Sequence, residues 1–597
     1  MTIDLAGHRN LGDAFGERVA SGPDRPALTI YRGSAATEHP TLTAAELHRR
    51  ARLRAAALSA RFTPGDRVLL ALPSGPELVE LYLACLIAGL VAVPVPVPGS
   101  STVAGERVAA IARDCAPSLA VASGEDREAV AERLRDHGLG EVPVEEPGEV
   151  APGEAAEPPQ GAYRPGPDTL GVLQYSSGST GTPKGVMLTH GDILADIAAL
   201  AADCGATPGD AFGIWIPLHH DMGLFGMLTT ALLSGGHLVM MPPGDFVRRP
   251  VEWLRLLGEY GCAFTAAPNF AFDMCTRHIP DAQLEGLDLS GLRVAFNGSE
   301  PIHVPTMTAF TKRFATAGLR PDALSPAYGM AEATVYVTVT PPGAVPTVLV
   351  VDPRRLEDAE APELHVTSGG DGREVVGHSA PRPHGVELRI VDPRTGRTLP
   401  ERAIGEIWLR GPGIGRGYWN QPELSARTFA ARRADDDDTA ATETPWFRSG
   451  DLGALLDGEL YVTGRIKELL IVHGRNLFPQ DLEQEARAAH PALAGFNGAA
   501  FSVPAPDERI VLVHEIDNRL PAEELPVVAA AVIRRLTVAF GVPVRNVVLV
   551  RRGGVRRTTS GKIQRAAMRE QFLAGGVQAL HAELDPGLPR SAQAGAQ

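Results

Sequence analysis

The chain reads as an α/β protein: a large N-terminal part of layered α/β subdomains with a small β subdomain, then a smaller C-terminal α/β domain. Three observations predict this. Helical and strand-like patterns alternate over the first two thirds, strand pairs replace them from Gly385, and a compact mixed pattern resumes after Tyr461-Val462-Thr463. Alternation of this kind belongs to helices covering a mostly parallel sheet.

The periodicity predicts a helix over Leu42–Ser59, a strand at Arg67–Leu72, a helix at Glu77–Ala88 and a strand at Leu90–Val95. Glu145–Asp168, rich in Pro, Gly, Glu and Ala, reads as a surface linker. A second α/β stretch runs from Phe212 through Met241. It continues in two short strand-like runs, Cys262–Pro268 and Leu292–Phe296, each ending in a loop. Ligands of α/β folds collect at the carboxyl ends of strands, which makes Pro268-Asn269, Asn297–Pro301 and Tyr328–Thr334 candidate site walls. Val386–Val391 and Gly405–Leu409, with Gly- and Pro-rich connections, predict the β subdomain, and Asp435–Asp438 reads as a solvated acidic loop. The tail has the size of a separate lobe ending near Leu584, with 585–597 disordered.

At 597 residues the chain exceeds one hydrophobic core, and 44% hydrophobic residues make burial ample. A net charge of −15 argues against a nucleic-acid-binding surface. Cys85, Cys115, Cys204, Cys262 and Cys275 are spread without metal-ligand spacing and read as reduced core thiols. Met1–Asn10 contains Asp4, His8 and Arg9 and no continuous apolar run, so the expectation is a soluble, cytoplasmic protein. The most apolar segment, Leu81–Val97, is broken by Gly89, Pro94 and Pro96. That predicts a buried helix followed by a strand, and no transmembrane segment.

The run Ser176-Ser177-Gly178-Ser179-Thr180-Gly181-Thr182-Pro183-Lys184-Gly185 directly follows Leu173-Gln174-Tyr175. Glycines admit backbone N–H groups to phosphate oxygens, hydroxyls add hydrogen bonds, and Lys184 supplies a point charge on a long stem. The composition suits a loop gripping a polyphosphate; a solvated Ser/Gly linker is the alternative. A Walker A loop has glycine before its lysine, and Pro183 stands there without an N–H, so ordinary P-loop nucleoside triphosphatases are disfavoured.

Further motifs follow strand-like runs. Pro217–Leu224 places His219, candidate catalytic His220 and Asp221 before the helical apolar run Phe225–Leu233. A polar mouth on an apolar helix suits an amphiphilic substrate, and a buried core helix reads the same way. Neighbouring loop residues rarely converge on one metal ion. Asn297-Gly298-Ser299-Glu300-Pro301 offers backbone and amide groups to a planar base. Tyr328-Gly329-Met330-Ala331-Glu332-Ala333-Thr334 offers an aromatic face, a hydroxyl and a carboxylate. Glu332 suits Mg²⁺, because a hard cation prefers carboxylate oxygen. Asp451 can accept two ribose hydroxyls, and Gly464-Arg465-Ile466-Lys467-Glu468 follows the next strand-like run, Glu459–Thr463. Thr558–Arg565 repeats the design of hydroxyls, a glycine and a lysine, Lys562. Singly, these are also ordinary turns, a hairpin and an exposed basic loop.

In this order, over nearly the whole chain, the motifs resemble the adenylate-forming superfamily of acyl-CoA synthetases, peptide-synthetase adenylation domains and luciferases. The closer resemblance is to the fatty acyl-AMP ligases. It rests on Leu173-Gln174-Tyr175, His220-Asp221-Met222-Gly223-Leu224, Asn297–Pro301, and Gly474-Arg475-Asn476 with Pro479-Gln480-Asp481. An irregular stretch, about 345–377, stands where that family has an insertion that restricts the domain rearrangement and disfavours CoA as acceptor.

The resemblance implies an adenylation domain over 1–463, a hinge over 464–468 turning at Lys467, and a mobile C-terminal domain over 469–584. It implies ATP and Mg²⁺. Ser176, Ser177, Gly178, Ser179, Thr180, Gly181 and Lys184 would orient the phosphates, and Thr180 and Glu332 would hold the metal. Asn297, Gly298, Ser299, Glu300, Tyr328, Gly329, Met330 and Ala331 would form the nucleotide slot, and Asp451 and Arg465 would hold the ribose. Lys562 would bridge the substrate carboxylate and the α-phosphate. The implied reaction activates a fatty acid as its adenylate, releases pyrophosphate, and passes the acyl group to the phosphopantetheine thiol of a separate acyl carrier protein or synthase loading domain. A fatty acyl-CoA ligase is the nearest alternative. A catalytically silent nucleotide- or acyl-binding homologue is the other, and intact Lys184, Glu332, Asp451 and Lys562 weigh against it.

Overall fold

The computed structural model describes residues 5, 7–99, 102–150, 163–176, 183–368, 372–379, 385–436, 444–472, 475–505, 507–558 and 561–588. Helix starts in it follow local chemistry. The Thr43 hydroxyl accepts from the Glu46 N–H while Glu46 accepts from the Thr43 N–H, so this helix is Ala44–Ser59. Leu42 and Thr43, expected in the helix, belong instead to the strand Thr41–Thr43. Thr189 and Asp192 form the same box for the helix His190–Cys204. Gly89, at φ +73°, ends the helix Pro76–Ala88 in the left-handed region and turns the chain into the strand Val91–Pro94.

Two mostly parallel sheets build the N-terminal part. One runs in the order Val144–Glu145, Leu119–Ala122, Arg67–Ala71, Val91–Pro94, Leu170–Ser176, Lys184–Thr189. Only its last pair is antiparallel, and there Ser176 stands opposite Lys184, the two ends of the polyphosphate motif lying on neighbouring strands. The other sheet orders Thr338–Val339, Leu324–Tyr328, Val294–Asn297, Phe264–Ala267, Ala211–Ile214, His237–Met240, Pro26–Ile30, Thr41–Thr43, antiparallel at its two edges alone. Phe212, Phe225, Phe246, Trp253, Phe264, Phe272 and Phe310 lie in its core.

The run Phe225–Leu233 departs from the expected helix. Met222–Thr229 is π-helical and only Thr230–Ser234 is α-helical. The Thr229 and Thr230 hydroxyls donate to the carbonyls of Leu224 and Phe225, five residues back, at 2.8 and 2.9 Å, in keeping with the wider turn. Phe225, Met227, Leu232 and Leu233 are buried in the main core.

The β subdomain is a six-stranded antiparallel sheet ordered Val348–Val351, Arg373–Ser379, Glu459–Arg465, Phe447–Leu456, Gly405–Arg410, Glu387–Val391. The stretch read as irregular therefore supplies two strands. Within the acidic loop, Asp436 is not simply solvated: Arg433 pairs with it at 2.5 Å, while Asp437 and Asp438 lie outside the described residues.

The C-terminal sheet runs Gly498–Ala505, Asp507–Ile516, Asn546–Arg551, Ala579–Glu583. Alternation divides its faces. Ile510, Leu512, Val547 and Leu549 pack with the helix Leu525–Phe540, while Val511, Val513, Val548 and Val550 pack with Met568 and Phe572 of Arg565–Leu573. Order extends past Leu584, contrary to the expected disorder. The Asp585 N–H donates to Asn546 Oδ1 at 2.8 Å, Arg509 pairs with the Asp585 carboxylate, and Leu588 is buried; residues 589–597 lie outside the described residues. Among the described residues no helix is long and apolar enough to cross a membrane.

Candidate active site

Strand ends carry most of the candidate residues. Asn297 ends the strand Val294–Asn297, fully buried, with its Nδ2 donating to Asn269 Oδ1 at 3.3 Å and its Oδ1 without a partner. At Gly298 a Cβ would stand 2.6 Å from the Ala327 carbonyl oxygen, so only glycine lets these two strand ends meet. Ser299 follows at φ +69°. The Glu300 carboxylate accepts the Phe270 N–H at 2.6 Å, and burial pushes its pKa up. An unpartnered amide oxygen is free to accept a hydrogen bond from the edge of a planar base.

The neighbouring strand carries Tyr328, whose hydroxyl donates to Asp451 at 3.0 Å. Burial, then the Asp451 carboxylate, holds this phenol protonated. Gly329 has no room for a side chain, since a Cβ would lie 1.8 Å from the Val335 carbonyl oxygen. Met330 and Ala331 are buried, and a 3₁₀ turn, Ala331–Ala333, presents Glu332. The Tyr418 hydroxyl donates to Glu332 at 2.8 Å, and Lys184 Nζ sits 5.2 Å from the centre of the Tyr418 ring. Burial and then Lys467 lower the Lys184 pKa, while Glu332 raises it, so Lys184, Lys467 and Glu332 share one field. The backbone of Ser176 is described but its side chain is not, and Ser177, Gly178, Ser179, Thr180 and Gly181 lie outside the described residues.

Asp451 is 4% exposed and sits within the strand Phe447–Leu456, opposite Arg465 of the paired strand, rather than on a hairpin turn. Arg465 Nε lies 2.7 Å from Asp451 Oδ1, and that carboxylate raises the arginine's pKa. Lys467 follows in the 3₁₀ turn Ile466–Glu468.

The C-terminal lobe contributes Lys562. Its Thr558–Lys562 loop is closed by Thr558 N–H to the Lys562 carbonyl at 2.8 Å and by Lys562 N–H to Thr558 Oγ1 at 3.1 Å. Gly561, at φ +87°, presses on Phe270, whose Cε1 would stand 2.6 Å from a Cβ. Burial lowers the Lys562 pKa; Asp221, Glu300 and Asp451 of the N-terminal part oppose this and Arg465 adds to it. Lys562 is therefore held among residues from several distant loops and is not an exposed basic loop. The His219 and His220 rings lie 4.7 Å apart, tilted by 41°, and burial keeps both imidazoles neutral, His219 near pKa 3. Gln174 donates to the His219 carbonyl at 2.9 Å, tying this pair to the phosphate-loop strand.

Docking of the lobe joins motif residues to two that no motif marked, Glu357 and Arg373. Arg565 pairs with Glu468 at 2.5 Å and Glu483 at 2.7 Å. Arg373 pairs with Asp481 at 2.8 Å, Arg475 pairs with Glu357, and Gln480 donates to the Thr463 carbonyl at 3.0 Å. Tyr418 was missed as well; its only sequence signal is the run Gly415-Arg416-Gly417-Tyr418.

The profile of the AMP-binding enzyme family matches residues 15–419. A Mycobacterium bovis protein, the long-chain-fatty-acid–AMP ligase FadD26, is 36% identical over 585 residues, covering 96% of this chain and 98% of its own. A solved structure from work on fatty acyl-adenylate ligases of E. coli and L. pneumophila superposes at TM-score 0.83 with 30% identity, covering 95% of this chain and 98% of that one. The L. pneumophila ligase solved with acyl adenylate and pyrophosphate superposes at TM-score 0.71 with 30% identity over 95% of this chain and 97% of that one. With this site on this fold, the chain belongs to the fatty acyl-AMP ligases of the AMP-binding enzyme family.

Proposed function

We propose that the protein activates a fatty acid with ATP, releasing pyrophosphate, and delivers the acyl group to the phosphopantetheine thiol of a separate acyl carrier protein or synthase loading domain. The observation that carries this reading is Lys562, brought by the C-terminal lobe into the field of Asp221, Glu300 and Asp451. A carboxylate is a poor electrophile. Its oxygen bonds to the α-phosphorus as the bond to the β-phosphate oxygen breaks, so negative charge accumulates between an anionic nucleophile and phosphate oxygens. A buried ammonium at that point is worth most where water is excluded. Lys184 would position the phosphates, Asn297, Gly298, Ser299 and Tyr328 the base, and Asp451 with Arg465 the ribose. Glu332 keeps carboxylate lone pairs for Mg²⁺ beside the Tyr418 hydrogen bond, with Thr180 as second ligand; the metal would neutralise phosphate charge. In the second step the thiol sulfur attacks the acyl carbonyl, AMP leaves, and the thiol proton goes to water. Rotation at Lys467 would withdraw Lys562 and open the thiol's approach. Five free, buried cysteines support a reducing, cytoplasmic setting.

The test supplies ATP, Mg²⁺ and a panel of fatty acids, with CoA, with a holo carrier protein, or with neither, and identifies products by mass. Acyl-AMP that transfers to the carrier and not to CoA is expected. Efficient acyl-CoA formation would establish the CoA ligase instead, and no acyl-AMP with any acid would leave a silent binding protein.

A further inference from the structure

Arg107 is a cation that the mechanism above does not use. It lies in the helix Thr102–Cys115, its Nε is buried without a hydrogen-bond partner, and among the described residues no carboxylate pairs with it. Other partly buried arginines among the described residues have one: Arg54 meets Glu80, Arg373 meets Asp481 and Arg565 meets Glu483. A desolvated guanidinium left without a counter-charge is costly, and burial alone lowers its pKa.

Its place in the fold says what charge is missing. The helix leaves the carboxyl end of the strand Val91–Pro94, whose sheet neighbour is Leu170–Ser176, the strand that runs into the polyphosphate motif. The same helix packs on Lys184–Thr189, the strand that begins with Lys184. Arg107 also lies close enough to His219 and His220 to disfavour a proton on either, and Gln174 fastens that pair to the phosphate-loop strand. Lys562 approaches His220 too, from the C-terminal lobe.

We propose that Arg107 is a phosphate-binding residue of this site, its planar fork receiving the oxygens of a phosphate group that arrives with a substrate. This rests on the function proposed above. Two substrates there bring phosphate: ATP with its β- and γ-phosphates, and the thiol-bearing arm with its phosphodiester.

The experiment compares the full-length wild type with Arg107→Gln. One arm measures KM for ATP in fatty-acid-dependent pyrophosphate release. The other measures acyl transfer to phosphopantetheine relative to pantetheine, which lacks the phosphate. If ATP is the source, KM rises on the order of 10-fold or more with the transfer ratio unchanged. If the arm is the source, the wild type prefers phosphopantetheine and the variant loses that preference by a similar factor. Both quantities within about twofold of wild type overturn the proposal. Should Arg107→Gln not fold, Arg107→Lys keeps charge without the fork. Equal binding of inorganic pyrophosphate by calorimetry, together with an equal transfer ratio, would then overturn it. A wild type that releases no pyrophosphate refutes the proposed function itself, whereas an active wild type matched by its variant refutes only the role of Arg107.

Discussion

Gly329 is the most constrained residue of the site. A Cβ there would overlap the Val335 carbonyl oxygen, which is backbone and cannot rotate aside. Gly329→Ala must therefore push apart the turn that presents Glu332. The expected loss is about 3 kcal/mol or more of stability, read as a lower denaturation midpoint. An unchanged midpoint would show that the turn yields freely. At this scale the charged candidates were legible, because Lys184, Glu332, Asp451, Arg465 and Lys562 each sit in a short motif beside a strand pattern. Tyr418 was not, because its meaning comes from Glu332, 86 residues away. Arg107 was silent for the same reason: an arginine in an amphipathic helix announces nothing until its lack of a partner is seen.

Among elements, the stretch 345–377 shows best what patterning conveys and what it hides. Val348–Val351 is too short to display alternation, and its register is set by Arg373–Ser379 across the intervening chain, so it read as irregular. The π-helix was hidden differently, since Met222–Thr229 is buried nearly all round and has no polar face to reveal its period. The same stretch also touches the C-terminal lobe. Arg373 pairs with Asp481, stacks 4.7 Å over Phe478, and offsets the burial that raises the Asp481 pKa to about 6. Arg373→Ala should loosen the lobe, and cleavage by trypsin in the 464–468 segment should accelerate on the order of 10-fold. Wild-type cleavage rates would show that the lobe docks independently of this pair.

Over the whole molecule, the division into parallel-rich layers, an antiparallel sheet and a terminal lobe was readable because burial on one or both faces writes different periods into strands. How the lobe sits was not readable, because that depends on ion pairs between distant segments. Its buried histidines add a pH dependence. Burial pushes His190, His378 and His514 down to about 4 from 6.5. Between these values the unfolded chain binds more protons than the folded one. Stability is thus full above pH 6.5 and is lost as the pH falls toward 4, by up to about 1.4 kcal/mol per pH unit for each histidine. Tm should drop measurably between about pH 7 and about pH 5, and a flat Tm would contradict the linkage.

The central claim is that catalysis needs the two parts of the chain to meet at Lys562. Fatty-acid-dependent pyrophosphate release by wild type and Lys562→Ala, at matched folding by circular dichroism, tests it most directly. The account predicts a rate lower by on the order of 10²–10³ in the variant. Near-wild-type release from a folded Lys562→Ala protein would contradict it.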